Sequence, residues 1–139
     1  MRIVLDTNIL LSGIVWKGLP SKIIDSWKEG LFEVVVTDEI FAEYHEVLKR
    51  FSGDRGIDVD ETMQFIGKKV VWCAPITLSE PACTDPDDDK FVAAGIGGNG
   101  EYIVSGDKAL LKIGTFGGVE IVTARQFLSI LHRLRGQWP

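Results

Sequence analysis

Short apolar runs alternate along this chain with segments in which apolar residues recur at helical spacing. Five of the runs have the length and buried character of strands, and they cover residues 3–5, 34–36, 70–74, 102–104 and 119–122. The clearest helical stripe runs from Asp38 to about Phe51, and Thr123 with Gln126 forms a capping box before a closing helix. Strands that alternate with helices predict an α/β domain with a mainly parallel sheet and helices on both faces.

A chain of 139 residues is long enough for one hydrophobic core and short for two domains. We therefore expect a single domain over residues 1–139. The chain contains two cysteines, Cys73 and Cys83, which are too few for a disulfide-rich scaffold. A cytoplasmic location without membrane insertion is expected, since the sequence shows neither a signal-peptide pattern nor the roughly 18 consecutive apolar residues that cross a bilayer.

The composition is acidic, with 20 acidic against 15 basic residues and a net charge of −5. This balance argues against a protein that coats nucleic acid with a basic surface. It is compatible with an enzyme whose carboxylates hold a metal ion. The positions of the acids therefore matter more than their number.

Several acids fall where a parallel sheet would collect ligands. Asp6 directly follows the first predicted strand, and Asp107 belongs to the short polar segment after the fourth. The carboxyl ends of parallel strands meet at one edge of a sheet, which is where ligands bind. The acidic run at residues 85–89 opens the next helix at that edge if the preceding segment returns to it. Glu43 lies about 60° from Ile40 around its helix, at the margin of the apolar stripe, where a carboxylate needs a partner such as a metal ion.

Each of these acids also has a simpler structural interpretation. Asp6 is compatible with a turn and helix cap, Glu43 with a solvated helix position, and Asp107 with a cap on the short helix that follows it. Asp87 and Asp88 are typical of a solvated N-terminal turn. The convergence of acids from independent segments on one edge favours a functional role.

Other site motifs do not match the sequence. An EF-hand loop beginning at Asp85 lacks the required glycine and the final glutamate. The glycines between residues 95 and 100 precede a strand, whereas a phosphate-binding loop follows one. His45 and His132 lack zinc-ligand spacing, and no Gly-x-Ser-x-Gly elbow is present.

Four segments together match a known pattern in order and spacing. They are Ile-Val-Leu-Asp-Thr-Asn at 3–8, Thr-Asp-Glu-Ile-Phe-Ala-Glu at 37–43, Asp-Pro-Asp-Asp-Asp-Lys-Phe-Val-Ala-Ala at 85–94, and Tyr-Ile-Val-Ser-Gly-Asp at 102–107. The chain resembles a PIN domain, and within that family the group described as toxin components of type II toxin–antitoxin systems. The resemblance implies a three-layer α/β/α sandwich with a mainly parallel central sheet.

The resemblance also implies a site of four acids, which would be the catalytic residues and the metal ligands: Asp6, Glu43, Asp89 and Asp107. Asp89 is preferred to its two acidic neighbours because the family's acid lies three residues before an apolar-Ala-Ala run. Which of the three binds the metal stays open. Accessory roles are implied for Asn8, Asp85 and Ser105, the last standing where the family often has Thr.

The activity implied by the resemblance is an endoribonuclease that depends on one or two Mg²⁺ or Mn²⁺ ions and cuts single-stranded or structured RNA. The family further implies a toxin role, an antitoxin protein as partner, and a homodimer. The alternatives are a non-catalytic PIN-like module that binds proteins and a DNA-directed flap-type nuclease, for which the chain lacks room for an arch.

The charge balance fits this resemblance better than it first suggests. Without the four implied site acids, 16 acidic residues face 15 basic ones, so most of the acidity belongs to the site. Basic residues that could guide RNA are Lys49, Arg50, Arg55, Lys68, Lys69, Arg125, Arg133 and Arg135.

Overall fold

The computed structural model describes residues 1–136, apart from the side chain of Asp54. Six strands are present in this part of the chain: β1 (Arg2–Leu5), β2 (Glu33–Val36), β3 (Val71–Trp72), β4 (Tyr102–Val104), β5 (Thr115–Phe116) and β6 (Val119–Val122). Seven α-helices accompany them there: α1 (Thr7–Val15), α2 (Leu19–Lys28), α3 (Asp38–Ser52), α4 (Val59–Lys69), α5 (Asp89–Gly97), α6 (Lys108–Ile113) and α7 (Ala124–Gly136). Short 3-10 turns occupy Gly53–Arg55 and Pro86–Asp88.

The strands form one sheet in the order β3-β2-β1-β4-β6-β5, flanked by helices. Every neighbouring pair is parallel except β5 and β6. The predicted α/β fold with a mainly parallel sheet is therefore confirmed. The chain moves outward from β1 in one direction through β2 and in the other through β4, so the strand order reverses at β1. A crevice for ligands forms at such a reversal, beyond the carboxyl ends of the strands.

The core is continuous through the sheet. The side chains of β1 from Ile3 to Leu5 and of β2 from Val34 to Val36 are completely buried, as expected for parallel strands that are covered on both faces. Helices supply the largest buried side chains, namely Trp27, Tyr44, Phe91 and Phe127. The carboxyl end of β1, after which the first polar residue follows, is therefore held in place by the packed core.

Helix α1 was not predicted from the sequence. Its residues are buried on most sides, so it lacks the apolar stripe by which an amphipathic helix is detected. Gly13 lets α1 approach α2 closely, because a Cβ at this position would lie 2.5 Å from Cγ1 of Ile24 and 2.7 Å from the carbonyl oxygen of Pro20. The close packing of α1 fixes the segment that begins directly after β1.

Two smaller differences concern the strands. The third strand contains two residues rather than the five predicted, and Cys73 extends its pairing with a backbone hydrogen bond to Val36. Strand β6 matches the predicted run at 119–122, but β5 was missed because it contains only two residues. The hairpin that joins them turns through Gly117 and Gly118, which both have positive φ.

The predicted capping box at the start of α7 is confirmed. The amide of Thr123 donates to Oε1 of Gln126 at 2.9 Å, and the amide of Gln126 donates to Oγ1 of Thr123 at 3.1 Å. Within residues 1–136, no helix combines the length and the apolar character needed to span a membrane.

We expect Gly13→Ala to destabilise the protein, although alanine is the better helix former. The added methyl group meets the Pro20 backbone, and overpacking of this kind costs about 1–3 kcal/mol. Urea unfolding measures the effect, with Gly136→Ala as control, since a Cβ there meets no atom of residues 1–136 within 4 Å. Equal stability of Gly13→Ala and the parent chain would contradict the close helix contact.

Candidate active site

A cleft of about 340 Å³ opens beyond the carboxyl ends of β1 and β4. Its walls come from the starts of α1 and α5, the middle of α3 and the segment after β4. Seven carboxylates line it, from Asp6, Glu43, Glu46, Asp85, Asp87, Asp88 and Asp107. Two basic side chains join them, those of Arg50 and Lys90. The cleft is thus strongly acidic, as the positions of the acids in the sequence predicted.

Asp6 lies at the base of the cleft and is only 7% exposed. It caps α1, since the amide of Asn8 donates to its Oδ1 at 3.2 Å. Its Oδ2 accepts a hydrogen bond of 2.6 Å from the hydroxyl of Ser105. Burial raises the pKa of Asp6, the two hydrogen bonds oppose this, and the charges of Asp107 and Glu43 raise it further. A cation in the cleft would relieve the cost of this charge.

Ser105 connects the two strand ends. The residue is completely buried directly after β4, and its amide donates to the carbonyl of Val122 at 2.9 Å. Its hydroxyl donates to Asp6 and accepts from the amide of Asp107 at 3.0 Å. One hydroxyl therefore fixes the spacing of the first and last acids of the cleft.

Tyr44 anchors α3 to the same edge of the sheet. Its hydroxyl donates to the carbonyl of Leu5 at 2.5 Å, and the whole side chain is buried. Burial, reinforced by the charges of Asp6 and Glu43, raises the pKa of Tyr44, so the phenol remains a donor. This bond sets the position of Glu43, the neighbouring residue on α3.

Glu43 has two direct partners in the cleft. The hydroxyl of Thr7 donates to Oε2, and the ammonium group of Lys90 lies 2.8 Å from Oε1. Burial lowers the pKa of Lys90, but the hydrogen bond with Glu43 and the nearby acids raise it above its ordinary value. The half-buried carboxylate does have the partner that its position predicted, but in this structure that partner is a lysine.

The structure separates two of the contiguous acids. Asp89 lies outside the cleft, and its Oδ1 accepts from the amides of Ala82 at 3.2 Å and Cys83 at 2.8 Å. Asp88 lines the cleft instead. Burial, with the charges of Asp107 and other acids, raises the pKa of Asp88 to about 6. We expected Asp89 at the site and Asp88 in a solvated turn. The structure places Asp88 in the cleft and Asp89 outside it, because successive side chains at the start of a helix point about 100° apart.

The remaining expected residues combine structural roles with places in the cleft. Asp107 caps α6 by accepting from the amide of Ala109 at 2.8 Å, as its structural interpretation predicted, and it also lines the cleft. Asp85 accepts from the amide of Asp87 at 3.0 Å and lines the rim. Asn8 is exposed there and contributes its amide to Asp6.

The basic residues proposed to guide RNA are dispersed. Arg50 lines the cleft and pairs with Glu46 at 3.0 Å. Arg125 and Arg133 line a different depression, beside His132. Lys90 and Thr7 were missed by the sequence analysis. A lone lysine that closes an acidic run was the available signal for Lys90, and the position between Asp6 and Asn8 was the available signal for Thr7.

The donor chemistry fits a hard divalent cation. Among residues 1–136, no three His, Cys, Asp or Glu side chains form a preassembled metal centre. Mg²⁺ does not require one, because it binds through one or two carboxylates and keeps several waters. The residues that line the cleft offer oxygen donors and no imidazole or thiolate, which excludes a zinc-type ligand set there.

Comparison with known proteins gave one family match. A family model described as PIN domain matches residues 2–109, a region that includes every residue lining the cleft. No curated protein matches the chain significantly.

We expect Asp88→Asn to stabilise the metal-free protein at pH 7.5 by about 1 kcal/mol, after allowance for solvent screening. The folded chain holds the Asp88 proton more tightly than the unfolded chain, in which the pKa of this carboxyl has its ordinary value of 3.8. The stability that this proton contributes is complete below pH 3.8 and is lost as the pH rises through about 6.

Urea unfolding in a chelating buffer between pH 4 and 8 measures this gain. The difference between variant and parent should shrink towards pH 4. Asp87→Asn, a neighbouring exposed acid, controls for the general loss of one charge. A gain that is equal at all pH values would show that desolvation of Asp88 is not its cause.

Proposed function

Since the chain belongs to the PIN domain family, whose fold is of the nuclease type, we propose that it is an endoribonuclease that depends on Mg²⁺ or Mn²⁺. The observation that carries the proposal is the convergence of Asp6, Glu43, Asp88 and Asp107 on one cleft. These acids come from four separate segments of the chain. A stable fold avoids such a concentration of like charge unless a function requires it.

Asp6, Asp88 and Asp107 would hold the metal, directly or through water, with Glu43 beside them. A bound divalent cation supplies activation of the attacking water and neutralises charge on the leaving oxygen. Ser105 keeps Asp6 in place by its hydrogen bond. Tyr44 holds α3 against β1 and so keeps Glu43 within reach of the cleft. Hydrogen bonds thus hold Asp6 and the helix that carries Glu43 in place before any metal ion binds.

RNA is the proposed substrate, and the choice of RNA over DNA rests on the family resemblance. The role of a toxin, an antitoxin protein as partner, and a homodimer are proposed on the same ground. Arg50 at the rim is available for a backbone phosphate, because the solvent-exposed pair that it forms with Glu46 is weak.

A second candidate is a PIN-like module that binds a protein without catalysis. One observation favours it, namely that Lys90 pairs with Glu43 at 2.8 Å and so neutralises one of the acids that a metal ion would meet. Mn²⁺ binding distinguishes the candidates, because the nuclease requires a cation in the cleft and the binding module does not.

Asp6→Asn is expected to reduce metal-dependent RNA cleavage by at least about 100-fold, because it removes the charge at the base of the cleft. The measurement is cleavage of a labelled single-stranded RNA in Mg²⁺ and in Mn²⁺, beside a flapped DNA. Asp60→Asn, an exposed acid on α4, is the control. Full activity of folded Asp6→Asn would reject this site, and preferential cleavage of the flap would reject RNA as the substrate.

Comparison of Asp88→Ala with Asp89→Ala tests which of the two acids serves cleavage and which serves stability. Asp88→Ala should lose most RNA cleavage and keep its fold, because its side chain faces the cleft. Asp89→Ala should keep cleavage but lose about 1–3 kcal/mol of stability, because the amides of Ala82 and Cys83 lose their acceptor. Thermal unfolding and cleavage rates are measured for both, and the opposite pattern would restore Asp89 to the site.

A further inference from the structure

Lys90 is placed unusually for a lysine in a cleft of this charge. Its side chain is 11% exposed, and it enters the cleft from the first turn of α5. The other basic residue there, Arg50, is well exposed, with 60% of its side chain accessible. Lys90 is therefore a cation built into the interior of the site.

The contacts of the Lys90 ammonium group leave part of it available. It donates to the backbone carbonyl of Asp87 at 2.8 Å and lies 2.8 Å from Oε1 of Glu43. An ammonium group carries three hydrogens, and these two acceptors use two of them. The ammonium group also lies 5.2 Å from the centre of the Phe91 ring, a contact that uses no hydrogen-bond acceptor. Because Lys90 lines the cleft, the third hydrogen is available to a ligand that enters it.

The contacts of Glu43 leave it little capacity for a metal ion. Lys90 compensates its charge, and the hydroxyl of Thr7 occupies its second oxygen. If Glu43 bound a metal ion instead, the largely buried ammonium group of Lys90 would lose its partner, and an unpaired buried charge destabilises the folded protein. Asp6, Asp88 and Asp107 have no lysine or arginine within ion-pair distance among residues 1–136. The unneutralised charge of these acids is therefore what a divalent ion would meet.

We propose that Lys90 is the second cation of the active site, which neutralises Glu43, leaves room for one divalent ion at Asp6, Asp88 and Asp107, and contacts the substrate phosphate. The phosphate contact rests on the proposed function, whereas the single metal ion does not. A second divalent ion at Glu43 would be repelled by the ammonium group beside it. The site would thus combine one metal ion with one lysine.

The test is a calorimetric titration of the metal-free protein with Mn²⁺, without RNA. The parent chain should bind one Mn²⁺ in the cleft, and Asp107→Asn should weaken this binding more than Glu43→Gln. Lys90→Met should tighten Mn²⁺ binding by about tenfold, because a repelling charge is removed. Lys49→Met, an exposed lysine of α3, controls for the general change in net charge.

RNA cleavage at saturating Mn²⁺ gives the second measurement. Lys90→Met should lower cleavage at least tenfold, with part of the loss in KM, while its Mn²⁺ affinity rises. Lys90→Arg should restore part of the activity. Lys90→Gln, which keeps a hydrogen-bond donor without the charge, should show the same tighter Mn²⁺ binding and serves if Lys90→Met folds poorly.

The outcomes separate this assignment from the proposed function. Two Mn²⁺ ions per parent chain, weaker Mn²⁺ binding in Lys90→Met, or unchanged cleavage in that variant would overturn the role of Lys90 while the nuclease stands. The absence of both Mn²⁺ binding and RNA cleavage in the parent chain would overturn the nuclease and the role of Lys90 together.

Discussion

The hydrogen bond between the Ser105 hydroxyl and the buried carboxylate of Asp6 is the contact on which the cleft depends. It joins residues that directly follow β1 and β4, two strands that pair in parallel at the point where the strand order reverses. The same hydroxyl accepts from the amide of Asp107, so one side chain sets the positions of two acids. A buried carboxylate is tolerated here because hydrogen bonds stabilise its charged form, although not enough to cancel the cost of burial.

Around that bond, most of the acids make a hydrogen bond or an ion pair that stabilises their negative charge. Asp107 and Asp6 cap helices, Asp89 binds two loop amides, and Glu43 pairs with Lys90. Asp88 is the exception, since burial and the charges of nearby acids raise its pKa and no lysine or arginine among the described residues lies within ion-pair distance of it. Sites that act on ligands commonly accept such a local cost, and the surrounding core offsets it. The completely buried residues 3–5 of β1 and 34–36 of β2 supply that support.

Much of the fold could be predicted because its elements have clear periodicity. The buried runs of β1, β2 and β4 and the stripe of α3 are strong local signals, and the alternation of strands and helices then required a parallel sheet. Helix α1 escaped prediction because it is buried on most sides and therefore shows no stripe. Strand β5 escaped because two residues carry no measurable alternation, although its partner β6 was predicted.

The sequence by itself determined that acids gather at one edge of the sheet, because Asp6 and Asp107 follow strands whose direction the fold class fixes. Only the tertiary structure decided which of the adjacent Asp88 and Asp89 enters the cleft, since one residue at a helix start changes the direction of a side chain by about 100°. The ion pair of Glu43 with Lys90 likewise required the packing of α3 beside α5, two helices that are distant in sequence. Local patterns specify the strand ends, whereas contacts between distant helices specify how the charges at those ends are paired.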